Sequence, residues 1–313
     1  MRIAVFGSGG VGGYFGGCLA RSGNDVTFIA RGEHLHALTS AGLRIESTSG
    51  DFVVYPAKAT DDPAEIGEVE AVILGVKAWQ VESAAGAIRP LIGRDTLVLP
   101  LQNGVEARSQ LAAKLGPEHV LGGLCRIVSY IVGPGHIRHA GFAPFVAFGE
   151  VDNQVTERVV HFRDVFLRAG IETTIPSNIE AAIWNKFLFI AAFSGVGAVT
   201  QAPAGVIRRL SQTRGMVERA LREIEAVAST RGISLGERAI NEAMTNIDGL
   251  PDNATSSMQR DIMAHRPSEL EAQTGAVVRL GRETAVETPV NSFIYESLLP
   301  LELRARGEIE FPT

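Results

Sequence analysis

Three glycines near the start of the chain have the spacing of a dinucleotide-binding loop. Gly7, Gly9 and Gly12 lie between an apolar run that predicts a strand and a segment that predicts a helix. The first glycine turns the chain, the second lets the backbone approach a pyrophosphate, and the third allows close helix packing. Free N–H groups at the helix start would bind the phosphates. We therefore predict cofactor binding by the loop residues Gly7, Ser8, Gly9, Gly10, Val11 and Gly12, with a merely structural turn as the alternative.

The residue after the second predicted strand indicates which dinucleotide is bound. That strand covers Asp25 to Ala30, and Arg31 follows it. A guanidinium matches a 2′-phosphate in charge and in geometry, whereas an acidic side chain would bind the free ribose hydroxyl of NAD. Arg31 thus favours NADP(H), although an ordinary solvated charge is the alternative and Glu33 could be argued for NAD. His34 and His36 are expected to be solvated.

Lys186 is the candidate proton donor. It precedes the apolar segment Phe187 to Thr200, so its stem is expected to be partly buried. Desolvation lowers a lysine pKa and so suits this residue to proton transfer near neutral pH. Ser194 lies two helical turns further on the same face and could hydrogen-bond a ligand, but Ile190 between them cannot. A surface lysine with a buried stem is the alternative.

Two further segments carry polar side chains with more than one interpretation. Ser257 and Asp261 share a helical face and could hold an anionic substrate and orient a cation, but helix capping would also explain the serines. Pro267 lies near the start of another predicted helix. Glu269 is then either a first-turn acid favoured by the helix dipole or a partner of Lys186.

Alternating strand and helix patterns in the first half predict a mostly parallel, doubly wound sheet. Strands are expected at Val53 to Ala57, Ala71 to Val76 and Leu97 to Leu101, with antiparallel strands from Val120 to Gly149 added to the sheet edge. In such sheets ligands bind beyond the carboxyl ends of strands. Gly7, Lys77 and Asn103 all follow predicted strand ends.

The second half carries helical patterns with almost no strand signal. They cover residues 180–200, 205–231, 236–247, 256–265 and 268–284. We therefore predict an α/β protein with an N-terminal Rossmann-type doubly wound domain, residues 1–176, and an all-α substrate and catalytic domain, residues 177–313. The apolar segment Phe187 to Thr200 is about 14 residues long, short of the roughly 20 that span a bilayer. We expect a buried helix there.

Composition limits the function classes. The 313 residues are 45% hydrophobic and 20% charged, as in folded globular proteins. A net charge of −6 without a basic run argues against nucleic acid. Cys18 and Cys125 are too few for a disulfide framework and are expected to be core thiols, and the seven histidines show no metal-ligand spacing. We expect no metal, no membrane partner, a cytoplasmic location and an apolar helical face that could form a homodimer.

Taken together, these residues resemble the ketopantoate reductase family, the NADPH-dependent 2-dehydropantoate 2-reductases. Five segments carry the resemblance across nearly the whole chain: residues 7–12, 76–80, 102–104, 184–187 and 256–281. It implies that hydride passes from NADPH to the 2-keto carbon, with Lys186 as general acid and Glu269 as the supporting acid. Ser257 matches the contact to the substrate carboxylate, Lys77 and Asn103 the residues near nicotinamide and substrate, and Arg31 the 2′-phosphate contact.

The chain departs from the family pattern at three positions. Ile190 and Ser194 stand where the family commonly has asparagine, and Thr274 replaces the asparagine that usually precedes Gly275. An apolar group in place of an amide removes a hydrogen bond that discriminates between substrates. Reduction of ketopantoate to pantoate is the leading expectation. A paralogous reductase of another 2-keto acid and a non-catalytic NADP(H)-binding module are the alternatives.

Overall fold

The computed structural model describes residues 1–312 and divides into two compact units. The first contains Met1–Gln102 and Glu106–Ile179, and we call it the α/β unit. The second contains Asn103–Val105 together with the chain from Glu180 onward, and we call it the helical unit. A short tripeptide from the first half of the sequence therefore belongs to the helical unit.

The strands all lie in the α/β unit. They are β1 (Arg2–Phe6), β2 (Asp25–Ile29), β3 (Leu43–Ser47), β4 (Phe52–Val54), β5 (Lys58–Thr60), β6 (Val69–Leu74), β7 (Ile92–Pro100), β8 (Gly122–Gly133), β9 (His136–Gly149) and β10 (Glu172–Thr174). The helices of this unit are α1 (Gly10–Arg21), α2 (Gly32–Ala41), α3 (Val81–Ala87), α4 (Ala107–Leu115) and α5 (Glu157–Arg168). Ile179, the last residue of the α/β unit, is the first residue of the helix α6 (Ile179–Thr200).

A five-stranded parallel sheet forms the centre of the α/β unit, in the order β5-β2-β1-β6-β7. The inner strands β1 and β6 contain the apolar runs 3–6 and 71–74, because helices cover both faces of the sheet. Residues of β6 and β7 such as Val72 and Val98 pack with Ala84 of α3 and Leu111 of α4 on one face, and α1 covers the other. This is the doubly wound Rossmann-type arrangement that the sequence predicts.

The strands between Val120 and Gly149 do not extend that sheet, and this expectation was wrong. β8 and β9 form an antiparallel pair, but β9 also pairs with β3 and β10 in a second five-stranded sheet. The helix α1 lies between the two sheets. A Cβ on Gly16 would touch Phe28 of the first sheet, and one on Gly17 would touch Leu43 of the second. Small residues on two sides of α1 thus allow both sheets to approach it.

The expected strand Val53 to Ala57 was also wrong in its bounds: it covers only the end of β4 and the connection that leads to β5. β4 pairs with β3 in the second sheet, whereas β5 pairs with β2 in the first. Pro56 lies in the connection between them. A proline has no N–H to give to a strand ladder, so the pairing cannot continue through it.

The helical unit contains α6 after its first residue, followed by α7 (Ala204–Arg209), α8 (Ser211–Thr230), α9 (Gly236–Asp248), α10 (Ser257–Met263), a π-helical turn (Glu271–Gly275), α11 (Ala276–Glu283) and α12 (Pro289–Ala305). One expected helix, 205–231, is two helices because Leu210 between them has extended backbone angles. Another, 268–284, begins with the π-helical turn. The helix α12 was not anticipated.

The helix α6 has 22 residues and a mean hydropathy of 1.5 in its most apolar window. By length and composition it could cross a bilayer, but 67% of that window is buried inside the structure. Phe187, Leu188, Ala191 and Val196 belong to the hydrophobic core of the helical unit. This burial agrees with the expectation of a core helix.

Candidate active site

The glycine loop connects β1 to α1 in the α/β unit. Gly7 has a φ of +91°, and a Cβ there would lie 2.7 Å from the backbone nitrogen of Val76. Only glycine combines this backbone conformation with that closeness. The turn therefore brings the ends of β1 and β6 together, as the predicted fold requires.

The rest of the loop packs backbone against backbone. A Cβ on Gly10 would lie 2.5 Å from the carbonyl oxygen of Ser129 in β8, and one on Gly12 would clash with the carbonyl oxygen of Gly7. Gly9 precedes the first turn of α1, whose initial N–H groups have no partner within the helix. This cradle of glycines at a helix N-terminus fits the pyrophosphate of a dinucleotide.

Arg31 and Glu33 lie at the start of α2, directly after β2. Arg31 is the N-cap residue, its side chain is exposed, and it makes no ion pair with another described residue. Glu33 is exposed in the first turn of the helix. The guanidinium is therefore available for an anionic ligand.

The strand ends that follow β6 and β7 carry Lys77 and Gln102. Lys77 is half-buried, its N–H donates to Oε1 of Gln80 at 3.2 Å, and its Nζ lies 5.7 Å from the centre of the Trp79 ring. The amide of Gln102 donates to the carbonyls of Leu74 and Val76 at 2.8 and 3.0 Å. Gln102 thus fixes the chain just before Asn103, a positioning role that the sequence pattern did not reveal.

Asn103 and Glu269 meet within the helical unit. Nδ2 of Asn103 donates to Oε2 of Glu269 at 3.1 Å, and Glu269 is only 6% exposed. The neighbouring Gly104 has a φ of +114°, and a Cβ there would lie 2.9 Å from the carbonyl oxygen of Ala272. The tripeptide Asn103–Val105 is therefore packed tightly against the segment that carries Glu269.

A buried carboxylate fixes the residue that precedes Glu269. Glu302 of α12 accepts hydrogen bonds from the N–H and the hydroxyl of Ser268, the latter at 2.6 Å. It also forms an ion pair of 2.7 Å with Arg306, whose guanidinium donates to the carbonyl of Ser268 at 3.2 Å. Glu302 and Arg306 were not predicted as site residues, because the sequence pattern did not indicate α12.

Lys186 is the eighth residue of α6 and is half-buried, while its sequence neighbours Trp184 and Phe187 are buried. It forms no hydrogen bond or ion pair with another described residue. The structure therefore does not pair Lys186 with Glu269, whereas Asn103 does form a hydrogen bond to that carboxylate. The ammonium remains available to a ligand.

Further along α6, polar atoms are buried without partners. Ile190 is half-buried, while Ser194 is 1% exposed and its hydroxyl has no partner. Thr274 and Gln273 in the π-helical turn are fully buried, and the hydroxyl of Thr274 and both amide atoms of Gln273 also have none. A Cβ on Gly195 would lie 3.2 Å from the hydroxyl of Thr274, so the two segments are in contact. Buried polar groups of this kind can bind a polar ligand or water.

Ser257 and Asp261 both lie in α10, but their surroundings differ. The capping residue is Ser256, whose hydroxyl accepts from the N–H of Gln259 at 3.0 Å, so helix capping does not occupy Ser257. Asp261 accepts from the guanidinium of Arg266 at 2.8 Å. Within residues 1–312, no group of three or more histidine, cysteine or acidic side chains could hold a metal ion.

Comparisons with known proteins identify relatives along nearly the whole chain. An uncharacterized oxidoreductase of Bacillus subtilis, YkpB, is 31% identical over 95% of this chain and 98% of its own length. A 2-dehydropantoate 2-reductase of Mesorhizobium japonicum is 30% identical over 92% of this chain and 94% of its own. The crystal structure of a PanE/ApbA family ketopantoate reductase from Ralstonia eutropha superposes with a TM-score of 0.89, covering 98% and 100% of the two chains at 30% identity.

Two family descriptions match in succession. Residues 3–153 match ketopantoate reductase PanE/ApbA, and residues 178–302 match the C-terminal part of the same family. The matched segments contain the glycine loop, Lys186 and Glu269. The chain therefore belongs to the ketopantoate reductase family and is an oxidoreductase of that family.

Proposed function

We propose that this protein reduces 2-dehydropantoate to pantoate with NADPH, a step of pantothenate biosynthesis in the cytoplasm. The observation that carries the proposal is the hydrogen bond between Asn103 and the buried Glu269, in the unit that also contains Lys186. Two residues 166 positions apart are held together at a carboxylate that has little contact with solvent. This buried carboxylate with its amide partner, together with the half-buried Lys186 of the same unit, supports the proposal.

The ketopantoate reductase family uses NADP(H), and the α/β unit has the parts to hold it. The loop Gly7–Gly12 fits the pyrophosphate, with Ser8 and Val11 supplying backbone between the glycines. Arg31 is proposed to bind the 2′-phosphate, because a guanidinium forms paired charge-assisted hydrogen bonds with it. We propose that Lys77, Asn103 and Glu269 contact the nicotinamide end. When bound, NADPH supplies a hydride.

The chain's own residues would supply the proton and hold the substrate. Reduction of a ketone forms a C–H bond with the hydride and an O–H bond with a proton, and Lys186 is proposed to donate that proton. Its positive charge also stabilises the negative charge that develops on the oxygen. Ser257 is proposed to bind the substrate carboxylate and Ser194 a polar substituent, while Lys77 and Asn103 contribute to binding.

One observation favours a different 2-keto acid as a second candidate. Ile190 presents an apolar side chain on α6 between Lys186 and Ser194. A site that lacks a hydrogen-bonding group for a substrate hydroxyl loses discrimination in favour of that hydroxyl. A substrate with a branched or bulkier apolar substituent would contact Ile190 instead.

The test is a steady-state assay of NADPH oxidation with 2-dehydropantoate and a panel of 2-keto acids, run in parallel with NADH. A kcat/KM for 2-dehydropantoate well above that for the other acids supports the first candidate. Comparable or higher values for branched acids would assign the protein to the second. Binding of NADPH without turnover of any acid would contradict both and indicate a non-catalytic binding module.

A further inference from the structure

His34 was expected to be solvated, and the structure shows otherwise. It lies in α2, half-buried, and both of its ring nitrogens are engaged. Nδ1 accepts a hydrogen bond from the N–H of Gly135 at 3.1 Å, and Nε2 lies 2.9 Å from the carbonyl oxygen of Ser8. The ring therefore joins the glycine loop to the turn between β8 and β9.

These two contacts define the protonation state of the ring. A backbone N–H can only donate, so Nδ1 of His34 must carry a lone pair. The carbonyl of Ser8 can only accept, so Nε2 must carry the proton. Burial lowers the pKa of the His34 imidazole, which favours this neutral tautomer over the doubly protonated ring.

The far end of the bridge is itself fixed in place. The carbonyl of Gly135 accepts from the N–H of Arg44 in β3 at 2.8 Å. Gly135 has a φ of +67°, and a Cβ there would lie 2.9 Å from Cβ of Ala37 in α2. The turn thus serves as a rigid support for the imidazole.

The near end determines where a loop N–H points. A trans peptide unit is planar, so the carbonyl of Ser8 and the N–H of Gly9 point in opposite directions. His34 holds that carbonyl from one side, and a Cβ on Gly13 would lie 2.8 Å from it on another. Because the Ser8 carbonyl points toward His34 and Gly13, the N–H of Gly9 must point away from them.

We propose that His34 is a positioning residue for dinucleotide binding: its Nε2–H orients the Ser8–Gly9 peptide so that the Gly9 N–H faces the cofactor phosphates. This inference rests on the proposed binding of NADPH by the loop. It predicts an effect on cofactor affinity and none on the chemical step, because His34 does not take part in proton or hydride transfer.

Two variants distinguish the contributions of the two hydrogen bonds of His34, one to Ser8 and one from Gly135. In His34→Gln the side-chain amide can reach the position of Nε2 and donate to Ser8, while in His34→Asn the shorter amide reaches only the position of Nδ1. We expect the Kd for NADPH, measured by nicotinamide fluorescence, to rise about tenfold in His34→Asn, the loss of one well-placed hydrogen bond. In His34→Gln it should stay within about threefold of the unchanged protein, and kcat at saturating NADPH should be unchanged in both.

His36→Asn is the matched control, because His36 is exposed on the same helix, and it should leave the Kd unchanged. Equal Kd values in His34→Asn and the unchanged protein would overturn the proposal, as would equal losses in both His34 variants. If the unchanged protein fails to bind NADPH, the cofactor proposal itself fails. Nitrogen NMR of the His34 ring in the unchanged protein tests the tautomer without any variant, and a proton on Nδ1 would also overturn the proposal.

Discussion

Lys186 is the residue on which the proposed proton transfer depends. In Lys186→Ala, turnover should fall by about 10² to 10⁴, the usual contribution of a general acid. Binding of NADPH should be nearly unchanged, because Lys186 is proposed to act on the substrate oxygen and not to bind the cofactor. Steady-state kinetics and cofactor titration measure the two effects separately.

Lys114→Ala provides the matched control for this substitution. The Lys114 ammonium donates to the carbonyl of Glu82 within the α/β unit and has no proposed role in the reaction. Turnover should therefore survive its removal. An unaltered rate in Lys186→Ala would exclude Lys186 as the acid.

Arg31 should determine the preference for NADPH over NADH. Its exposed guanidinium is positioned after β2, and charge-assisted hydrogen bonds contribute about 1.5 to 3 kcal/mol each. In Arg31→Ser, kcat/KM for NADPH should drop about tenfold to a hundredfold, while that for NADH should change little. The exposed Arg94 offers a control, since Arg94→Ser should affect neither value. A parallel fall with both cofactors would refute a specific contact to the 2′-phosphate.

At the residue scale, the sequence predicts a residue's role when that role depends on its neighbours in the sequence. The glycine spacing predicted the tight turn at Gly7, because backbone conformation and close packing restrict that position to glycine. The hydrogen bond between Asn103 and Glu269 could not be found in this way. Asn103 reaches Glu269 through the tertiary fold, across 166 positions of sequence. His34 was misjudged for the same reason, since its support at Gly135 is 101 positions away.

Among the helices, α12 contributes a buried carboxylate, Glu302, that fixes the segment before Glu269. Glu302 is 4% exposed and holds both Ser268 and Arg306. In Glu302→Ala, the buried N–H of Ser268 and the guanidinium of Arg306 lose their carboxylate. We expect the free energy of unfolding to fall by about 3 kcal/mol, together with a loss of turnover because Glu269 follows Ser268. Chemical denaturation and steady-state kinetics measure these changes.

The control for Glu302 is another Arg–Glu pair with the same spacing on a helix. Glu242 of α9 pairs with Arg238 at 2.7 Å, but the two side chains are 48% and 89% exposed. Glu242→Ala should cost less than about 0.5 kcal/mol, because water solvates the remaining charge. Similar losses in the two variants would show that burial of Glu302 has no energetic consequence.

Elements with strong periodicity were predicted, and those defined by distant pairing were not. The short strand β3 has parallel pairing with β9, more than 90 residues away, so its local sequence gave no indication of a second sheet. The helical pattern of 268–284 could not show the π-helical turn, because one wider turn barely alters the apolar periodicity. The break at Leu210 likewise lies inside a segment with continuous helical character.

For the molecule as a whole, the buried Tyr14 and the half-buried Tyr295 limit stability in alkali. Burial raises the pKa of Tyr14 in the α/β unit to about 12, and burial and a hydrogen bond to Glu271 raise that of Tyr295 in the helical unit to about 12. Their ordinary value is near 10. A raised pKa means that the folded state binds the proton more strongly than the unfolded state does. The free energy of unfolding therefore keeps its full value below pH 10 and falls as pH rises toward 12.

The expected result is a free energy of unfolding that declines as pH rises from about 10 to 12. Tyr14, which is 4% exposed, should account for about 2 kcal/mol of it. Tyr14→Phe should show a shallower decline in alkali than the unchanged protein, because it has no hydroxyl to ionise. Tyr295→Phe makes the same comparison in the helical unit. A decline of undiminished slope in both variants would assign the alkaline sensitivity to other groups.

The tripeptide Asn103–Val105 has a consequence for recombination between related reductases. A chimaera joined at residue 179 would take its Glu269 from one parent and its Asn103 from the other. Gly104 approaches the carbonyl of Ala272 so closely that the two segments must have matching shapes. Hybrid proteins should therefore retain activity more often when residues 103–105 are exchanged together with the C-terminal parent. The helical unit is therefore encoded by two separate stretches of the gene, one for residues 103–105 and one for the chain from Glu180 onward.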